Sequence, residues 1–189
     1  MAEELKEIVY SRNSIEFVTV AVQYCSYIES LEEPVQADVV DKLTKILPLL
    51  YLKVVLVPET EMANEDEPEI SVTEDDYNYI LSRIYSIIGK DDAYLEVFIE
   101  DMKYSETPIA ASISEDLADI YQDLKNFITI YERGIVDNMN DALHLCIENF
   151  KAYWGQKLVN VLRALHSLKY NNTDVDFDDE ELNNENEIW

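Results

Sequence analysis

The chain has 189 residues, with 40 Asp and Glu against 14 Lys and Arg for a formal charge of −26, and 48% of its residues are apolar. That apolar share supports a packed core and excludes a fully disordered chain, while the acidity excludes a generic nucleic-acid binder, whose footprint is basic. The most apolar stretch, residues 43–57, is interrupted by Thr44, Lys45, Pro48 and Lys53, so it does not read as a membrane span.

Residues 1–11 are acidic where a secretory signal needs a basic start, and they read as a lead-in without a signal peptide. Apolar spacing predicts a first helix over residues 12–31, with Ile15, Val18, Val22, Cys25 and Ile28 on one face. A second, over residues 35–57, aligns Val39, Leu43, Leu50 and Val54. It is apolar nearly all round after Ile46, so it is expected at the centre of the fold, with a kink or break at Pro48. Residues 58–73 follow as a mobile acidic loop. Between Glu59 and Asp76 there are nine carboxylates and no Lys or Arg, and like charges at that density repel.

Thr73 followed by Glu74, Asp75 and Asp76 predicts the capped start of a third helix carrying Tyr77, Ile80, Ile84 and Ile88, with Gly89 beyond its end. A short fourth helix is expected after Asp91, using Leu95, Phe98 and Met102. The fifth opens at Ser112 or Ser114, where Ser112-x-x-Glu115 matches a capping box, and aligns Leu117, Tyr121, Leu124, Ile128 and Tyr131 before Gly134. The sixth is expected as one rod of roughly 48 Å over residues 137–169. Its stripe is Ala142, Cys146, Phe150, Trp154, Leu158, Val161, Leu165 and Leu168.

Residues 171–189 carry eight more carboxylates and no base, and read as an acidic, disordered tail ending in the apolar pair Ile188 and Trp189. Without the two anionic segments the remainder has 23 acids against 14 bases, an ordinary acidic globule. The expected fold is all-α, a single-domain antiparallel helical bundle of about six helices over residues 12–170. Two cysteines, Cys25 and Cys146, each lie within an apolar helical pattern, which suits free buried thiols and a cytoplasmic protein.

Templates for chemistry fail one by one. A di-iron bundle needs two Glu-x-x-His motifs, and the nearest approach is the single Asp141-x-x-His144, with His144 expected on the solvent side. Glu29-x-x-Glu32-Glu33 is similar to half of the Mg²⁺ site of all-α nucleotide pyrophosphohydrolases. It ends just before Pro34, and Asp38-x-x-Asp41 comes too soon to complete it. No glycine-rich phosphate loop, nucleophile elbow or metal-spaced cysteine pair is present.

Three features remain. Glu115, Asp119 and Asp123 recur every four residues on the side of the fifth helix away from its apolar stripe, which reads as a solvated face or an acidic docking strip. Gly155 lies inside the sixth helix at about 1 kcal/mol cost relative to alanine, so a neighbouring helix packs closely there, a ligand approaches, or the helix bends. The ligand niche that would follow is lined by Tyr121, Trp154, Gln156, Arg163 and His166.

Four segments resemble a bacterial family of small all-helical domains of unknown function: FVTVAVQYCSYIE at 17–29, LPLLYLKVVLVP at 47–58, SISEDLADIYQDLKNFI at 112–128 and NFKAYWGQKLVNVLRALHSL at 149–168. The resemblance spans residues 12–169. It implies a compact, intracellular helical domain and no assigned activity or catalytic residues.

From the charge distribution and the failed templates, the expected function is a non-enzymatic protein-interaction module whose acidic surfaces meet a basic protein partner, with self-association as an open possibility. No cofactor, no metal, no membrane and no direct nucleic-acid contact are expected. The alternative is a small-molecule-binding or metal-dependent, pyrophosphohydrolase-like helical enzyme.

Overall fold

The computed structural model describes residues 2–32, 34–95 and 110–171. Helix α1 (Ala2–Val9) occupies part of the expected lead-in. It is tied down at its end, where Val9 is fully buried and its carbonyl accepts the Tyr131 hydroxyl. Ser11 then caps α2 (Arg12–Glu29), its side chain accepting from the Ser14 amide. Helix α3 (Gln36–Val54) runs through Pro48 without a break. Proline removes one amide donor, and the burial of Leu43, Leu47, Leu50 and Val54 on one side offsets that loss.

Helix α4 (Glu74–Ile88) begins as expected at Thr73. Its cap is reciprocal, since Thr73 accepts from the Asp76 amide and the Asp76 carboxylate accepts from the Thr73 amide. Gly89, at φ 61°, takes the left-handed turn that ends it.

The short helix expected after Asp91 is replaced at its start by a strand. Strand β1 (Ala93–Leu95) pairs antiparallel with β2 (Ala110–Ser112), Ala93 opposite Ser112 and Leu95 opposite Ala110. The reason is Asp92. Its carboxylate accepts from the Ser114 amide at 2.8 Å and the Ser112 hydroxyl at 2.5 Å, and its carbonyl accepts from Ile113. Asp92 is therefore occupied in capping the next helix, α5 (Ile113–Tyr131), across the chain. Phe98 and Met102 lie outside the described residues, as does the tail after Asn171.

Helix α5 is the axis of the bundle, packed by α2, α4 and the helices that follow it. Its buried residues, including Leu117, Ile120, Leu124, Phe127 and Ile130, span most of its circumference. That corrects the expectation that α3 is central. Helix α3 packs chiefly on α2 and the last helix, and its outer face and end leave Leu49, Leu52, Val55 and Leu56 between 40% and 51% exposed.

The expected single rod is two helices, α6 (Val136–Asn149) and α7 (Gly155–Asn171), joined by a π-helical turn over Phe150–Trp154. The Gly155 amide bonds the Phe150 carbonyl, five residues back. The sequence pattern accounts for it. Ala142, Cys146, Phe150, Trp154 and Leu158 recur at strict intervals of four, which drifts about 40° per step on an α-helix and is absorbed by a wider turn. Gly155 is required by this turn rather than by a neighbouring helix. A Cβ there would strike the Phe150 carbonyl and lie 2.8 Å from its ring. The architecture is all-α, with the two-stranded ribbon as its only sheet among the described residues.

Candidate functional site

The acids of α5 turn inward onto partners. Asp116 is 3% exposed, and Lys157 of α7 bridges it to Asp119 at 2.9 and 2.8 Å. Asp119 also accepts the hydroxyls of Tyr77 at 2.8 Å and Tyr153 at 2.7 Å, while Tyr94 donates to Asp116. Burial alone would weaken the Lys157 ammonium, but its bonds to Asp119 and Asp116 outweigh that and raise its pKa. Burial holds the Asp116 carboxyl above its ordinary range despite Tyr94 and Lys157.

One turn on, Asp123 accepts from Asn149 at 2.6 Å, and burial pushes its pKa up to about 6. Of the predicted docking row only Glu115 stands exposed. Asp119 and Asp123 of the row, with Asp116, form a covered polar seam because α4, the π turn and α7 lie against that side of α5, a packing that spacing along one helix does not reveal.

The five niche candidates do not converge. Trp154 is fully buried, donating its indole N–H to the Cys146 carbonyl at 3.1 Å and meeting Phe150 edge-on. Tyr121 is tied to Glu29 of α2 at 2.9 Å, and Gln156 bonds Asn160 in its own helix. Only Arg163 and His166 share a groove, of about 480 Å³, beside Tyr94 and Ile113. Both point to other partners, Arg163 to the Leu95 carbonyl and His166 to the Tyr170 ring. Glu29, half of the pyrophosphohydrolase-like motif, pairs with Lys125 at 2.7 Å. Among the described residues no three His, Cys, Asp or Glu side chains gather to hold a metal ion.

The acidic loop between α3 and α4 is pinned to the body, contrary to the expectation of free movement. Asp141 of α6, 1% exposed, accepts from the amides of Ala63 at 2.6 Å and Asn64 at 3.0 Å and from the Asn64 side chain at 2.6 Å. Its neighbour Asn140, fully buried, donates to the Glu61 carbonyl at 2.7 Å and accepts from the Thr60 hydroxyl. His144 is half-buried rather than solvated, its Nδ1 2.7 Å from the Thr60 carbonyl. At the far end, Asn126 of α5 accepts from the amides of Ser71 at 2.8 Å and Val72 at 2.9 Å.

Burial raises the Asp141 pKa, but the bonds from Ala63 and Asn64 outweigh it and leave the carboxyl below its ordinary range. The anchors use the loop's backbone, so its side chains stay out: Glu59, Glu61, Glu65, Asp66, Glu67 and Glu69 are all exposed. Beneath residues 67–70 lies a cavity of about 540 Å³ between the loop, α5 and α6.

Asn126, Asn140, Asp141 and Lys157 were invisible to periodicity. A polar residue beside an apolar stripe reads as solvated until another segment is known to cover it. The consecutive Asn140-Asp141 on a face next to Ala142 was the available signal.

A family model described as a domain of unknown function, DUF5063, matches residues 8–171. Among solved structures, the protein BF1032 from Bacteroides fragilis is 45% identical, with a TM-score of 0.78 over 86% of this chain and 96% of that one. No curated protein matches.

Proposed function

Because the chain belongs to the DUF5063 family, whose description carries no activity, we propose a function from its own geometry: a non-enzymatic interaction module that offers a fixed acidic ridge to a basic protein partner. The observation that carries this reading is the pinned loop. Asn140 and Asp141, both inside the body, and Asn126 are spent on loop backbone, while the loop's carboxylates face water. Holding like charges together costs electrostatic energy, and a flexible loop would relax that cost by spreading.

Counter-charge among the described residues is slight. Arg133 lies 3.3 Å from Glu69 and Lys151 lies 3.8 Å from Glu59, both exposed pairs of little strength. A prearranged ridge spares the partner the entropy of ordering the loop and steers a cationic surface towards it. The acidic surface of the module is thus the loop, in place of the α5 row. A reducing compartment fits its two buried, unpaired thiols, Cys25 and Cys146.

The test is capture of a partner from lysate of the source cell, eluted across a salt gradient and repeated with Glu59, Glu61, Glu65, Glu67 and Glu69 replaced by Gln. Retention is expected to fall steeply between about 0.05 and 0.5 M salt and to be lost in the neutralised variant. Retention indifferent to both changes overturns the proposal.

A further inference from the structure

The cavity under the acidic loop is a different feature from the ridge above it, and it has a sided chemistry. Its floor is apolar, with Phe127 and Ile130 from α5 and Leu145 from α6. Its polar lining is Asp123 with the amides Gln122, Asn126 and Asn149, Glu67 and Glu69 stand at the loop, and among the described residues no Lys, Arg or His lines it. Arg133 pairs with Glu69 at 3.3 Å and remains 47% exposed, while Lys157 lies over the Tyr153 ring and is held by Asp116 and Asp119. Asn149 holds one oxygen of Asp123, and the other takes no hydrogen bond among the described residues. Volume, about 540 Å³, is that of a small-molecule site. Its roof is fixed, since Asn126 anchors the backbone at Ser71 and Val72 immediately after it.

We propose that this cavity binds a small organic cation, an ammonium compound with an apolar body, its nitrogen on Asp123 and its hydrocarbon part against Phe127, Ile130 and Leu145. An anionic ligand is disfavoured beside Asp123, and a neutral one would leave its ionised carboxylate without a counter-charge. The site does not depend on the ridge having a partner.

Occupancy requires ionised Asp123. The groups facing it are Asp119 on α5, Cys146 and Asn149 on α6, Tyr153 in the π turn, and Glu67 and Glu69 on the loop. Lys157 of α7 and Tyr77 of α4 are already engaged by Asp119 and offer Asp123 no counter-charge. A bound ammonium supplies it.

The experiment titrates the full chain with phenethylamine, tyramine and 3-phenylpropylamine, and with 2-phenylethanol as the neutral analogue, by calorimetry from pH 5 to 8. At least one amine is expected to bind in the millimolar range or tighter, about tenfold or more above the alcohol, with affinity rising as pH passes through about 6. Asp123→Asn is expected to lower amine affinity about tenfold and flatten the pH profile. Leu145→Trp, at a half-buried position, fills the floor and abolishes binding at every pH. Circular dichroism confirms that each variant is folded. Failure of all three amines to bind at 5 mM, equal binding of amine and alcohol, or an unchanged Asp123→Asn affinity overturns the proposal. None of these outcomes bears on capture of a basic protein by the ridge.

Discussion

Replacing Asp141 by Asn exchanges one oxygen for an NH₂ group, yet it removes the main anchor of the acidic loop. The carboxylate accepts three bonds from Ala63 and Asn64 and a fourth from Asn140 at 3.1 Å. An amide keeps one acceptor oxygen and turns an NH₂ group towards backbone donors, so about two charge-assisted bonds are lost. At about 1.5–3 kcal/mol each that is roughly 3–6 kcal/mol, from which relief of a buried charge returns part. A net loss of about 2–3 kcal/mol follows, or a fall of roughly 4–10 °C in melting temperature for a chain of this size.

The sign with pH is fixed by the depressed carboxyl. Its contribution is complete above the ordinary carboxylate range and fades as pH falls through the lower folded value. The gap between wild type and Asp141→Asn should therefore begin to narrow only below about pH 4. Urea unfolding at pH 7 and pH 3.5 measures the gap, and hydrogen exchange at the Ala63 and Asn64 amides localises it. A variant within about 0.5 kcal/mol of wild type at pH 7, with loop amides equally protected, would refute the account of how the loop is held.

Asp123→Asn should act in the opposite sense. With the folded pKa near 6 against an ordinary 3.8, ionisation strains the folded state, a penalty absent below pH 4 and complete above about pH 6. The full shift corresponds to roughly 3 kcal/mol, and partial exposure reduces the expected gain to about 1 kcal/mol at pH 7.5 and none at pH 4, read by urea unfolding. Gly155→Ala should destabilise by about 2–4 kcal/mol in the same assay. Alanine's helix advantage of about 1 kcal/mol is smaller than the cost of displacing Phe150; a stabilised variant would contradict the π turn. Cys25 and Cys146 should resist a thiol reagent in the native protein and react together in denaturant, since both are buried and burial raises both pKa values. A thiol that labels at once would argue against the packing of α2 or α6.

Helices whose start is written in adjacent residues were legible. Thr73 with Asp76, and Ser112 with the Glu115 amide, cap where spacing predicted, because a cap is local chemistry. Legibility stopped where a second segment decides burial. The apolar circumference of α3 suggested a central helix, yet α5 holds that place, and the acids on one side of α5 are taken up by Lys157, Tyr77, Tyr153 and Asn149. Carboxylates at four-residue intervals look the same whether water or a lysine meets them. The loop misled for a related reason. Its own residues argue for freedom, and what restrains it, Asn140 and Asp141, stands some eighty positions away. Of the ligand-niche residues, Trp154 drew notice correctly as an oddity beside Gly155, but its role is to fill the turn that Gly155 permits.

That turn stores one residue of slack in the rod. It carries one residue more than an α turn for about the same advance round the axis, so losing that residue would join α6 and α7 into one regular helix with their faces kept. A residue lost inside α7 has no such outlet: everything beyond it would swivel by about 100°, and Leu158, Val161 and Leu165 would swing off the interior they now fill. Drift in length among relatives should therefore fall at the wide turn or in the acidic loop, and spare α7.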